Sequence, residues 1–174
     1  MKNLAHFKIE ERNKTLICIF ENPEYGNSFS KNCATELEKI INYVNKNQIS
    51  NLVITNIGRT FCSGGNLKDY AKLKKRSDGI KINKYITKIL NLLDKAPFYT
   101  VAIVQGDCFG GGVEWISSFD KVYATPNSLF GMWQSRIALS WGWGGGARLK
   151  LRLLKKNLKN LLIEGKTFSS YEAL

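Results

Sequence analysis

Apolar positions along the chain fall into two periods. Leu16-Ile17-Cys18-Ile19-Phe20 is an unbroken apolar run, the pattern of a strand buried on both faces, and predicts a strand over Thr15–Phe20. Phe7–Glu10 reads as its hairpin partner across the polar turn Glu11–Lys14. Asn22–Ser28 is built of turn residues. Ser30 is an N-cap type, and Ala34, Leu37, Ile40, Ile41 and Val44 then recur at helical spacing, which predicts an amphipathic helix over Lys31–Lys46. Leu52–Ile57 is a second apolar strand and Gly58–Asn66 a loop. Helical segments follow near Leu67–Arg76 and Gly79–Asp94, ending before Pro97. Thr100–Val104 is rich in β-branched residues and reads as a strand. Gln105–Gly110 is a loop, Gly111–Ser118 a short helix, and Lys121–Ala124 and Ser128–Phe130 short strands. Gly144–Gly146 opens a basic amphipathic helix with Leu149, Leu153 and Leu154 inward and Lys150, Arg152, Lys155 and Lys156 outward.

Strands alternating with helices give an α/β class. No repeat, linker or low-complexity tract divides residues 1–174, so one core domain is expected. Near the end, Ser169-Ser170-Tyr171-Glu172 has capping-box spacing and starts a helix only residues before Leu174, so the chain is expected to be C-terminally short.

Two glycine-rich loops follow predicted buried strands: Thr60–Leu67 and Gly106–Glu114. Ligands of open α/β folds collect outside the carboxyl ends of strands, and glycine there leaves backbone N–H groups accessible. Either loop alone could simply fit a tight turn. Neither has the P-loop spacing, and Gly106-x-x-x-Gly110 misses the dinucleotide fingerprint. Two N–H donors from separate loops can together hold an oxyanion, a chemistry that needs no covalent nucleophile.

Composition narrows the alternatives. His6 is the only histidine and sits in a predicted edge-strand region, which excludes multi-histidine metal sites and disfavours histidine-based triads; no metal is expected. Cys18, Cys33, Cys62 and Cys108 form no C-x-x-C, consistent with free buried thiols in a reducing compartment. The segment Met1–His6 has no apolar leader pattern, and no stretch of 18 apolar residues spans a membrane, so a cytoplasmic protein is expected. The formal net charge is +12, with 20 Lys against 6 Arg. The excess fits either a solvated surface or a field for a polyanionic ligand.

Phe61-Cys62-Ser63-Gly64-Gly65-Asn66-Leu67 resembles the first oxyanion loop of the crotonase (enoyl-CoA hydratase/isomerase) superfamily, F-x-[AS]-G-x-D-[LI], and Gly106–Glu114 resembles its second, G-x-x-x-G-G-G-x-E. Pro23 with Asn27-Ser28, Pro97 with Val101–Val104, Asp120 with Ala124, Phe130-Gly131 and Gly144-Gly145 follow the family pattern in order over nearly the whole chain. The resemblance implies a spiral of ββα units, acyl-CoA thioester ligands, and C-terminal trimerisation helices that this chain lacks. It places an oxyanion hole on the N–H groups of Gly65 and Gly111, which should face one unplugged cavity. It puts Asn66 and Leu67 beside the adenine, and Lys68 within reach of a phosphate. Glu114, otherwise simply a favourable charge in a first helical turn, becomes a general acid/base.

The chain departs from the family at three places. Gln134 stands where the second hydratase glutamate belongs, and an amide cannot shuttle a proton. Asn66 replaces an Asp. Trp141 replaces a Pro, with Trp133 and Trp143 nearby, which reads either as a reshaped acyl site or as core aromatics. The expected function is therefore an enoyl-CoA hydratase/isomerase-type enzyme, with coenzyme A entering only as part of the substrate. The alternatives are a malonyl-type acyl-CoA decarboxylase, a catalytically silent CoA-binding scaffold and, through the basic Lys150–Lys159 helix, RNA binding. A homotrimer or hexamer is expected if the missing region is dispensable; nucleic acid and membrane partners are not.

Overall fold

The computed structural model describes residues 4–173. Met1, Lys2, Asn3 and Leu174 lie outside them, and with them half of the Met1–His6 segment read for a leader; the capping-box segment Ser169–Glu172 lies within them, and residues 170–173 form a turn and not the start of a helix. Strand β1 (Phe7–Arg12) and β2 (Thr15–Phe20) form an antiparallel hairpin. Its two turn residues, Asn13 and Lys14, both take positive φ, the tight geometry that matches strand twist. The turn is thus shorter than the polar run Glu11–Lys14, and β1 continues to Arg12. Helix α1 (Lys31–Lys46) starts where expected: Ser30 Oγ accepts from Cys33 N at 3.1 Å. Its Cys33, Ala34, Leu37, Ile40, Ile41 and Val44 are buried.

From there each turn of chain gives one strand to each of two sheets. β3 (Asn51–Asn56), β5 (Tyr99–Val104) and β7 (Lys121–Ala124) extend the first sheet in the order β1-β2-β3-β5-β7, parallel from β2 onward. β4 (Thr60–Cys62), β6 (Asp107–Phe109), β8 (Leu129–Gly131) and β9 (Thr167–Ser169) form the second. This is the ββα spiral that the resemblance implies. In β2, Leu16, Cys18 and Phe20 are buried while Thr15, Ile17 and Ile19 are half-buried, so the apolar run is fully buried on one face only. Helices α2 (Leu67–Ala71) and α3 (Arg76–Asp94) follow β4, and α4 (Gly111–Ile116) follows β6. α2 is shorter and α3 longer than the periodicity predicts. All four cysteines are buried and free; burial pushes the Cys18 and Cys62 thiols up to about 12.

The expected basic helix is broken. α5 (Gly145–Lys150) stops, and α6 (Lys155–Lys159) restarts after Leu154, running into a π-helical turn over Asn160–Glu164. Leu149 and Leu153 pack on the core, but Leu154 is exposed, since it stands at the restart and not on the inner face. Ser169 and Glu172 make the reciprocal capping-box bonds, Glu172 Oε2 accepting from Ser169 N at 2.8 Å and Ser169 Oγ from Glu172 N at 3.3 Å. Among the described residues no helix is long and apolar enough to cross a membrane.

Two features fix the loops that leave the strands. Trp115 is fully buried in a ring of Phe20, Phe29, Phe61 and Phe119, and so pins α4. Asn56 Nδ2 lies within hydrogen-bond reach of Gly58 O (3.3 Å), Thr60 O (3.2 Å) and Gln105 O (2.9 Å), while its Oδ1 accepts from Gln105 N at 3.0 Å. Asn27 Nδ2 adds bonds to Ile57 O and Thr60 O. One buried side chain therefore ties the start of the first glycine loop to the start of the second.

Candidate active site

The two glycine loops meet. Gly64 takes φ +113°, a conformation that L side chains rarely adopt, and a Cβ built on it would lie 3.5 Å from Gly111 N. A parallel bridge between Phe29 and Gly65 supports the first loop, with Phe29 N donating to Gly64 O and Asn66 N to Phe29 O. Gly110 N donates to Gly131 O and fixes the second. Among the hydrogen bonds of the described residues, neither Gly65 N–H nor Gly111 N–H has an acceptor. Two unpartnered donors thus stand in adjoining loops, Gly65 half-buried and Gly111 buried, the latter in a setting where backbone groups are ordinarily paired.

Glu114, in the first turn of α4, is almost fully buried. Its Oε2 accepts from Trp143 N at 2.9 Å and Gly145 N at 3.0 Å; its Oε1 accepts from Gly142 N at 3.3 Å and Gln134 Nε2 at 3.2 Å. Burial pushes its carboxyl above the usual range, while the three backbone donors and the nearby Arg148 pull it back down. Gln134 lies in the short 3-10 turn Trp133–Ile137, between Gly110 and Glu114. With Nε2 turned to Glu114, its Oε1 is buried and has no partner among the described residues. The pair can hold one carboxylate, one amide and the single proton the carboxyl can carry.

Three residues not singled out by the sequence motifs shape this corner. Arg148 is buried and reaches Ser117 Oγ (3.0 Å), Asn91 Oδ1 (2.9 Å), Glu114 O (3.1 Å) and Trp143 O (2.8 Å), tying α5 to α3 and α4. Tyr70 and Asn83 bond to each other at 2.6 Å and lie 3.4 and 3.3 Å from the Trp143 indole nitrogen. Trp143 departs most from expectation. A Cβ on Gly65 would stand 3.1 Å from its Cζ2, and one on Gly111 would overlap its ring, 2.6 Å from Cη2. The indole therefore covers both glycines on the side where a side chain would stand, and the expected unplugged cavity is filled there. The other two tryptophans do different jobs. Trp133 stacks on Phe109 at 3.8 Å, and Trp141 is half-buried against the core. The glycine spacing around Trp143, Gly142 before and Gly144–Gly146 after, was the available signal.

The remaining candidates lie at the mouth of the first loop. Asn66 caps α2, its Oδ1 accepting from Lys68 N at 3.0 Å. Leu67 is exposed, and Lys68 Nζ sits 4.4 Å over the Tyr25 ring. His6 pairs with Glu36 of α1 at 3.1 Å and takes no part in the Glu114 cluster.

Comparison with known proteins adds the following. Residues 10–174 match the sequence model of the family described as enoyl-CoA hydratase/isomerase. The chain is 31% identical over 134 residues, 76% of its length, to ethylmalonyl-CoA decarboxylase of Gallus gallus, covering 45% of that protein. It is 27% identical over 168 residues, 95% of its length, to mitochondrial methylglutaconyl-CoA hydratase of Homo sapiens, covering 49%. The chain thus spans about half the length of these relatives. An enoyl-CoA hydratase from Polaromonas sp. JS666 superposes with a TM-score of 0.89 at 26% identity, over 95% of this chain and 66% of that one.

Proposed function

The chain belongs to the enoyl-CoA hydratase/isomerase family of the crotonase superfamily, and from that premise we propose that it acts on acyl-CoA thioesters by holding an enolate oxygen at the N–H groups of Gly65 and Gly111. The observation that carries the reading is the pair of unpartnered N–H groups in two loops pinned side by side. Such a pair stabilises charge as it develops, and losing one donor typically costs about 3–4 kcal/mol in the transition state. Glu114 serves as the proton-handling group, its affinity for a proton raised by burial. Gln134 positions it through the 3.2 Å bond and offers its free Oε1 to a donor on the substrate. In this reading Asn66, Leu67 and Lys68 meet the nucleotide end of CoA, as the resemblance implies, with Tyr25 under the Lys68 ammonium.

A second reading is favoured by Gln134 itself. Loss of carbon dioxide from a malonyl-type thioester needs the oxyanion donors and one proton donor only. Hydration needs a base for water and an acid for the neighbouring carbon. Turnover of a panel of enoyl-CoA and malonyl-type CoA thioesters, followed by chromatography of the products, tests both. Water adducts support hydration, decarboxylated thioesters the second reading. Binding of the panel without turnover would make the chain a silent CoA-binding paralogue. Assembly into trimers or hexamers, as the family resemblance implies, belongs to the same proposal.

A further inference from the structure

We infer that the outer face of the first sheet is a two-fold interface on which a second copy of this chain packs. The strand registers lay outward side chains in rows across β1-β2-β3-β5-β7. The middle row runs Glu10, Ile17, Val53, Val101, Lys121. On one side of it, a row begins with Lys8 and Ile19 on β1 and β2 and ends with Ile103 and Tyr123 on β5 and β7. On the other side, a row begins at Arg12 and ends at Tyr99. The alternate residues of these strands point the other way, and Leu16, Cys18, Leu52, Ile54 and Ala102 among them are fully buried. The outward set is half-buried or exposed throughout, with Tyr99, Ile103 and Tyr123 at 51%, 37% and 56% exposure. Sheets that are parallel, as this one is from β2 onward, are ordinarily covered on both faces. An apolar centre inside a polar and aromatic rim is also the anatomy of a protein interface.

The order of charges along the rows selects the occupant. β3 is the middle strand, so a two-fold axis along it exchanges the β1 edge of one copy with the β5–β7 edge of the other. Two sheets stacked this way keep their strands aligned within about 30°. Glu10 then faces the partner's Lys121. The cations of Lys8 and Arg12 fall on the rings of the partner's Tyr123 and the partner's Tyr99, a favourable pairing. Ile17 and Ile19 meet the partner's Val101 and the partner's Ile103, and Val53 meets its own copy. An isologous contact requires this end-for-end match, and an unrelated partner would not impose it. The charged ends are free to take part. The Glu10 side chain is bound by its own Arg12 yet stays 48% exposed, and Lys121 enters no ion pair among the described residues. Five strands about 4.8 Å apart, of about six residues at about 3.3 Å each, present about 480 Å² per copy. The two copies together reach about 1,000 Å², the lower bound for a specific contact, so the dimer is a weak one.

No residue of this face belongs to either glycine loop, so the inference stands apart from the thioester reading. The test is sedimentation equilibrium of the full chain from low micromolar to several hundred micromolar concentration. The unaltered protein is expected to associate reversibly into assemblies of even order. Glu10→Lys and Lys121→Glu each set like charges opposite one another and should weaken that association at least about tenfold. The double variant carrying both changes exchanges the two charges and should restore it. That rescue separates a contact between the two edges from a mere change of surface charge. Both positions are exposed, so thermal unfolding should show the variants folded. Val53→Asp, at the axis, should abolish association; if it fails to fold, the charge exchange still decides. A chain that stays monomeric at every concentration overturns the inference and leaves the face to a different partner. So does association that neither single variant weakens, a double variant no stronger than the single ones, or a trimer that none of the variants affects.

Discussion

The candidate site has two halves that are built differently. One is backbone: Gly65 and Gly111, placed by a bridge to Phe29, a bond to Gly131 and the Asn56 clip. The other is side chain: Glu114, Gln134, Trp143 and Arg148, locked to one another by direct hydrogen bonds. The backbone half has no titratable atom and no rotamer. The side-chain half holds the cluster's carboxyl, Glu114, and its bulk. On the proposed reading, binding should therefore follow the first and the kind of reaction the second.

The largest effect should come from Glu114→Gln. Removing the only carboxyl in the cluster is expected to lower turnover of the best thioester about 10³-fold. CoA affinity, measured by titration, should stay the same. A parallel fall in CoA binding would mean that the halves are not separable. Gln134→Glu sharpens the comparison from the other side. It places two carboxyls at the 3.2 Å distance now spanned by Gln134 and Glu114, so they must share a proton and at least one pKa must rise. Hydration of a short enoyl-CoA should then increase about 10²-fold, read as loss of enoyl absorbance.

Gly111→Ala asks whether the halves touch as tightly as described. The added methyl meets the Trp143 ring, and over-packing of this kind costs about 1–3 kcal/mol, measurable by urea denaturation. The smallest effect is on pH dependence. Because the folded Glu114 carboxyl titrates above its ordinary value, the native state holds that proton more tightly than the unfolded chain does. Its contribution to stability is full below the ordinary carboxylate range and is lost as pH rises through the raised value. The stability of the unaltered protein relative to Glu114→Gln should therefore shrink as pH rises over that window. A difference that grows with pH would mean that the three backbone donors outweigh burial.

The same division governs what could be read from the residues alone. β2, α1 and β7 appear at the expected boundaries; in β2 and α1, six and sixteen residues with one dominant period leave little choice. β4, β6 and β9 are three residues each, too short for any period, and they sit inside stretches that read as loops or caps. In the site, the family resemblance carried by the two glycine-loop motifs implied Gly65, Gly111, Glu114 and Gln134 as candidates, and the structure brings these four together. It could not find Arg148, which looks like one more basic residue on an amphipathic helix but points into the core. Nor could it place Trp143, since whether a ring faces a neighbouring loop depends on contacts from four other elements.

The Asn56 clip has a consequence for how the molecule can change its length. Its amide spans Gly58, Thr60 and Gln105, and Thr60 O is shared with Asn27, so no slack remains between β3 and β4. One residue inserted there would slide everything downstream by up to about 3.3 Å and turn the Gly65 donor away from Gly111. The segment Lys72–Lys75, between α2 and α3, carries no such ties to the second loop. Insertions and deletions among descendants of this chain should collect there, while the span from Asn56 to Gly65 keeps its residue count.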